Sequence, residues 1–276
     1  MAPRVTSRTP GRTSGGIAYD YTPGPTSGPV LLFLHAGIAD RRMWDDQVVA
    51  LTPRYGLLRI DLRGFGESDR DADHWTHVED VVDVLDAVGV PAVHVVAASF
   101  GSGVATQLAI AHPDRVLSMV LAPIAGAMLL TMTPSLRAFI EREEAALRVG
   151  DLDTAVEANI AAWVIGPTRT ESDLPAGVCD RVRVMQRRAF ELADGISAPA
   201  DEEDEPFDRV SQVTAPMLII VGAHDLDASL DAATRWEATL HQADLERWDD
   251  VAHLPSMERP RRFTERLTSW VDEHHR

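Results

Sequence analysis

The sequence contains no lysine, and all 26 of its basic residues are arginine. A phosphate-binding loop of the usual kind and a Schiff-base enzyme both need an ammonium side chain, so neither is expected. Cys179 is the single cysteine, which excludes an internal disulfide and with it a disulfide-stapled secreted domain. No apolar run reaches the roughly 18 residues of a membrane span, so none is predicted.

Positive charge is scarce as well, because 43 acidic residues against 26 arginines give a net charge of −17. Nucleic acids and anionic membranes both require a cationic face, so neither is an expected partner. The expected partner is a hydrophobic small molecule, and the sequence is also compatible with assembly into a homo-oligomer.

Residues 1–15 lack the apolar stretch of a secretory signal. This favours a flexible N-terminal tail over a transit peptide, and it predicts a cytoplasmic location. A lysine-free composition rich in Ala, Arg and Asp is typical of GC-rich bacterial genomes.

Short apolar segments alternate with segments of helical periodicity along most of the chain. Short segments predict strands over residues 30–34, 57–60, 93–97, 116–121, 217–221 and 245–248, and the continuous apolar run at 30–34 is expected for a strand buried on both faces. Helical spacing predicts helices over residues 78–88, 101–112 and 259–271. This alternation predicts an α/β fold, with a mostly parallel central sheet and helices on both of its faces.

One long segment, residues 123–215, breaks the alternation because it contains no convincing strand. Its apolar residues recur at helical spacing instead, as Val156 and Ile160 do. We therefore predict a helical insertion at 123–215 in a core formed by residues 16–122 and 216–276.

Ser99 lies at the junction of a predicted strand and a predicted helix. A sharp turn there brings the side chains two positions to either side close together, so both must be small. Ala97 and Gly101 occupy these positions, which gives the G-x-S-x-G nucleophile-elbow pattern with alanine at the first glycine. Such a turn exposes the serine hydroxyl and directs the Phe100 amide towards developing negative charge. Taken alone, the pattern also fits a tight turn that happens to contain serine.

Two further motifs follow predicted strands. One is His35-Ala36-Gly37, and the other is the complete pattern D-x-R-G-x-G-x-S at residues 61–68. Together with the Ser99 turn they resemble the α/β-hydrolase superfamily, over about residues 16–275. The resemblance implies that Ser99 is a nucleophile, that the amides of Gly37 and Phe100 form an oxyanion hole, and that the insertion is a cap domain. It implies no cofactor and no metal.

A serine nucleophile needs a base, and the base needs a carboxylate to orient it. The superfamily order is serine, acid, histidine. Asp225 follows strand 217–221 in the sequence Gly-Ala-His-Asp, and His253 precedes the last helix, so these two are the predicted acid and base. Asp227 is the alternative acid. His74 and His77 have H-x-x-H spacing, but without further ligands a surface pair is predicted rather than a metal site.

The cap and the pocket walls select the substrate in such a fold. Apolar and aromatic residues supply adaptable contact area. The pocket candidates are Trp44, Met128, Leu129, Met132, Trp163 and Met185. They favour a hydrophobic, uncharged ester or lactone as the substrate.

Other activities remain open at this stage. The same three residues would serve a carbon–carbon bond hydrolase or a cofactor-free perhydrolase, and a non-catalytic ligand-binding protein could keep them as a pocket. An aminopeptidase-like enzyme would need a carboxylate for the substrate amine, for which Glu141, Glu143 and Glu144 are candidates. A solvated helix face is the alternative interpretation of these glutamates.

Overall fold

The computed structural model describes residues 9–25, 28–52, 54–70, 74–124, 131–193, 209–240 and 243–275. Within these residues eight strands form one sheet, in the order β1-β2-β4-β3-β5-β6-β7-β8. The strands are β1 (Thr9–Arg12), β2 (Ala18–Thr22), β3 (Val30–Leu34), β4 (Gly56–Ile60), β5 (Val93–Ser99), β6 (Val116–Ile124), β7 (Met217–Gly222) and β8 (Ala243–Trp248).

Strands β3 to β8 pair in parallel, whereas β1 and β2 are antiparallel at one edge. The sheet confirms the predicted fold class and contains all six predicted strands. The tail predicted over residues 1–15 is wrong for residues 9–12, since Thr9–Arg12 pair with residues 18–21. These two edge strands contain Thr, Pro, Gly, Tyr and Asp, so they present no continuous apolar run to recognise.

Helices cover both faces of the sheet. They are α1 (Asp45–Leu51), α2 (His77–Ala87), α3 (Phe100–Ala111), α4 (Pro134–Arg148), α5 (Leu152–Asn159), α6 (Val178–Ala193), α7 (Asp227–Thr239), α8 (Pro255–Glu258) and α9 (Pro260–His274), and a π-helical stretch, Ile160–Ile165, continues α5. Adjacent residues of β3 show the two layers. Leu31 and Phe33 pack into a core with Phe263 of α9, and Leu32 and Leu34 pack into the opposite core with α2 and α3.

The predicted insertion is helical wherever the structure describes it. Residues 131–193 contain α4, α5, the π-helical stretch and α6, and no strand. Val156 and Ile160 belong to the same core cluster as sheet residues, so this helical layer is packed onto the sheet. Strand β6 reaches Ile124, one residue past the predicted start of the insertion. No helix of the described residues is long and apolar enough to cross a bilayer.

Candidate active site

Ser99 ends β5, and α3 begins at the next residue. Its φ of 52° makes it the one non-glycine residue of the described chain with positive φ. Such a conformation is costly for an L-residue and persists only where the surroundings impose it. Here the imposing contact is at Gly101, whose amide donates to the carbonyl of His35, 3.1 Å away. The start of α3 is thereby fixed against the end of β3, and Ser99 forms the corner.

The two small positions of the elbow differ in how strictly they are required. Ala97 is fully buried in β5 and accommodates its methyl group there. A Cβ at Gly101 would lie 2.6 Å from the carbonyl oxygen of His35 and 2.7 Å from that of Leu34, and both are main-chain atoms. This explains why alanine is tolerated at the first position, whereas the second remains glycine.

Replacing Gly101 by alanine is therefore expected to destabilise the protein by about 1–3 kcal/mol, because backbone must move to admit the methyl group. Gly103 is the matched control. It lies in the same helix with nothing within 4 Å of its Cβ position, so Gly103→Ala should raise stability by about 0.5–1 kcal/mol. Urea unfolding of the two variants measures both effects. Equal free energies of unfolding for both variants would contradict the close approach at Gly101.

The predicted acid and base are in direct contact. Nδ1 of His253, in the loop after β8, lies 2.7 Å from Oδ2 of Asp225, in the loop after β7. The other carboxylate oxygen, Oδ1, accepts the main-chain N–H of Leu226 at 2.7 Å. Both side chains are almost fully buried. This arrangement fixes the imidazole ring with Nδ1 towards the carboxylate, which leaves Nε2 to exchange a proton with a reacting group.

Asp227, the alternative acid, has different partners. It begins α7 and accepts hydrogen bonds from the Thr133 hydroxyl, at 2.7 Å, and from the Ser135 hydroxyl. Both belong to the start of the helical insertion, since Thr133 caps α4. Asp227 therefore joins the insertion to the sheet layer, while Asp225 alone of the two contacts His253.

Ser99 and His253 line one cavity of about 460 Å³, together with Gly37 and Phe100. The Phe100 amide belongs to the first residue of α3, where helix amides lack intrahelical partners. No loop or side-chain acceptor of the described residues takes the Gly37 amide. The Ser99 hydroxyl and Nε2 of His253 likewise make no hydrogen bond within the described residues. The residues that carry this hydroxyl, this imidazole and these two amides therefore line the same cavity.

His35 holds the Gly37 turn in place. Its Nδ1 donates to the carbonyl of Ala36 at 2.8 Å, and its Nε2 accepts the amide of Leu62 at 2.9 Å. Burial lowers the pKa of His35, which keeps the ring neutral and suits one donor and one acceptor. His35 is a positioning residue that joins the turn after β3 to the loop after β4.

The motif at residues 61–68 is structural. The Asp61 carboxylate accepts the amides of Arg41 and Glu67, each at 2.8 Å, and also pairs with the Arg41 guanidinium. Arg63 forms a two-pronged pair with Asp80 at 2.9 and 2.6 Å. These buried ion pairs fix the loop beside His35 and do not reach the cavity.

The helical insertion contacts the base directly. The indole ring of Trp163, in the π-helical stretch, lies 4.5 Å from the imidazole of His253 between ring centroids. The Trp163 carbonyl accepts the His253 amide at 3.3 Å. Arg169 pairs with buried Glu258 at 2.7 Å, and Glu258 accepts the amide of Ala252 at 2.8 Å. The insertion thereby helps to fix the His253 loop.

The pocket candidates separate into three groups. Met132 and Trp163 line the cavity. Trp44 and Met185 do not line it and are buried in the core, where Trp44 packs on Phe33 with ring centroids 5.3 Å apart. Met128 and Leu129 lie outside the described residues.

The predicted surface pair His74 and His77 is half wrong. His74 is exposed, but His77 is buried with its ring 5.1 Å from that of Phe100. Burial lowers the pKa of His77 to about 4, so this ring is neutral at physiological pH. No group of three metal-ligating side chains converges within the described part of the chain.

Several cavity residues were not predicted as pocket residues. They are Ile38, Leu136, Ile140, Asn159 and Gln186; the cavity also contains Phe139, Phe190 and Glu143, and Glu143 is one of the carboxylates considered above for a substrate amine. A signal for two of them exists in the sequence. Asn159 adjoins Val156 and Ile160 on the apolar face of its helix, and Gln186 adjoins Val182 and Met185 in the same way. A polar residue on an apolar helix face that covers a cleft is a candidate for ligand contact.

Comparisons with known proteins show the family to which the chain belongs. A family model described as the alpha/beta hydrolase fold matches residues 29–260. The chain is 27% identical over 274 residues to the Caulobacter vibrioides protein named "Putative carbamate hydrolase RutD", covering 94% of this chain and 97% of that protein. It is 25% identical over 258 residues to 3-oxoadipate enol-lactonase 1 of Acinetobacter baylyi, covering 90% of each. A thermophilic esterase from Thermogutta terrifontis has a similar structure, with a TM-score of 0.75 at 23% identity over 98% of this chain and 100% of that one. With a family match over most of its length and an eight-stranded sheet of the corresponding kind, the chain belongs to the alpha/beta hydrolase family.

Proposed function

We propose that the protein is a serine hydrolase that cleaves a carboxylic ester or lactone. The observation that carries the proposal is the meeting of Ser99, at a strained strand-to-helix corner, with the buried His253–Asp225 pair at one cavity. Strain of this kind is concentrated at functional sites, and a carboxylate-oriented imidazole beside a serine is the arrangement that activates the hydroxyl.

The reaction proceeds through an acyl-enzyme. Ser99 Oγ attacks the carbonyl carbon while His253 Nε2 accepts its proton, and Asp225 stabilises the imidazolium that forms. The amides of Gly37 and Phe100 donate to the oxyanion, each contributing about 3 kcal/mol in the transition state. The imidazolium then protonates the leaving alkoxide. Water, activated by the same histidine, releases the acyl group and restores the serine.

The walls of the cavity support an ester with an apolar portion. Leu136, Phe139, Ile140, Trp163 and Phe190 give it extensive apolar surface. The relatives named as an enol-lactonase and an esterase act on bonds of this type according to their names. A lactone and an open ester expose the same carbonyl to Ser99, so the proposal includes both.

A fluorophosphonate and an ester assay test the proposal together. The wild-type protein should gain one phosphonyl adduct by intact mass and should hydrolyse p-nitrophenyl butyrate. Ser99→Ala should gain none, and His253→Ala should react more slowly because its serine lacks a base. Peptide mapping should locate the adduct on Ser99. Absence of both labelling and hydrolysis in the wild type, or labelling that persists in Ser99→Ala, would refute the mechanism.

A further inference from the structure

Three polar side chains interrupt the apolar wall of the candidate active-site cavity. They are Glu143 of α4, Asn159 of α5 and Gln186 of α6, one from each helix of the insertion. They face the same cavity as Ser99 and His253. None of them takes part in the proposed bond cleavage, so their presence in an otherwise apolar surface requires another explanation.

Gln186 is only 3% exposed, and its side-chain carbonyl oxygen is buried without a hydrogen-bond partner in the described structure. Leaving such an acceptor unpaired in a protein interior is unfavourable. A ligand that enters the cavity with a hydrogen-bond donor would satisfy it.

Asn159 is 2% exposed and has committed both of its amide hydrogens. Its Nδ2 donates to Oε1 of Glu143 at 2.5 Å and to the carbonyl of Ala155 at 3.0 Å. Asn159 therefore orients the Glu143 carboxylate and has only an acceptor left for a ligand. Glu143 and Asn159 consequently offer acceptors, and Gln186 adds its unpaired carbonyl oxygen.

Glu143 supplies a negative charge that the protein leaves uncompensated. No arginine or histidine of the described residues lies within ion-pair distance of its carboxylate. Burial raises the pKa of Glu143, which reflects the cost of a charge without a cationic partner there. A cation brought by a ligand would remove that cost and would also serve the Gln186 oxygen.

We propose that Glu143, Asn159 and Gln186 form a subsite for a primary ammonium group of the substrate. This inference rests on the proposed function, because the ammonium belongs to the ester that Ser99 attacks. The preferred substrate then has an apolar chain against Phe139, Ile140 and Phe190, and a protonated amine at the end of that chain. Charge-assisted hydrogen bonds to a carboxylate are strong and specific, and the negative charge of Glu143 repels a substrate carboxylate.

Isosteric esters test the subsite. Ethyl 6-aminohexanoate and ethyl heptanoate differ by an ammonium in place of a methyl group, and monoethyl pimelate carries a carboxylate there. A reversed pair, 6-aminohexyl acetate and heptyl acetate, places the amine on the alcohol side. For the wild type, kcat/KM should favour the amine in at least one pair by roughly tenfold or more, and monoethyl pimelate should be the poorest acyl-side substrate.

Glu143→Gln retains an oxygen that can accept from Asn159 but removes the charge. It should abolish the amine preference, measured as the ratio of kcat/KM values within each isosteric pair. Glu141→Gln is the matched control, since Glu141 is exposed on the same helix and should keep the preference. A wild type that hydrolyses neutral esters without favouring the amine in either pair, or a preference that survives Glu143→Gln, overturns the subsite. A wild type that hydrolyses no ester at all overturns the proposed function instead.

Discussion

Replacement of Ser99 by alanine is expected to lower kcat for ester hydrolysis by about 10⁵- to 10⁶-fold, the size of effect that follows loss of a serine nucleophile. The variant lacks the oxygen that attacks the ester carbonyl in the first step of the mechanism. Binding should be affected little, because the apolar walls and the main-chain donors of Gly37 and Phe100 remain. The loss should therefore appear in kcat far more than in KM.

Folding provides the control for this variant. Serine and alanine are comparably strained at a φ of 52°, and the Ser99 hydroxyl makes no hydrogen bond within the described residues that the variant could lose. The thermal midpoint of Ser99→Ala should therefore match that of the wild type. Full activity in a folded Ser99→Ala protein would disprove the role of Ser99, whereas an unfolded variant would show that Ser99 has a structural role the contacts do not indicate.

The inner strands of the central sheet could be predicted because they are buried on both faces. Strands such as Val30–Leu34 and Met217–Gly222 contain continuous apolar residues, and that pattern is visible in sequence alone. The edge strand Thr9–Arg12 was not predicted, because its residues are largely exposed and its position in the sheet depends on main-chain pairing with β2. Pairing of that kind leaves no hydrophobic pattern along the strand.

The same distinction applies to the site. Ser99, Asp225 and His253 could be predicted as site residues because each lies at or just after the end of a strand, at the carboxyl edge of the sheet where loops converge. The contacts that the insertion makes with the site could not be predicted from the sequence, because they depend on how α4, α5 and α6 pack over that edge of the sheet. Trp44 illustrates the limit, because an aromatic residue has the same sequence signal whether it lines a pocket or, as here, fills the core.

Asp225→Asn is expected to lower kcat by about 10⁴-fold with little change in overall structure. The carboxylate now accepts from Nδ1 of His253 at 2.7 Å and receives the Leu226 amide on its other oxygen. An amide in its place can present N–H to Nδ1, which would move the imidazole proton to Nε2 and leave no base facing Ser99. It also removes the charge that stabilises the imidazolium.

Asp227→Asn is the matched control, two positions along the same segment. Asp227 accepts from Thr133 and Ser135, and an amide oxygen can still accept from one of these hydroxyls. The kcat of Asp227→Asn should stay within a few-fold of the wild-type value. A lower free energy of unfolding is the expected effect instead, because the contact between α4 and α7 is weakened. Steady-state kinetics of the two variants, beside their unfolding curves, measure both effects. A larger kcat loss in Asp227→Asn than in Asp225→Asn would transfer the acid role to Asp227, and the His253 loop would then have to rearrange when substrate binds.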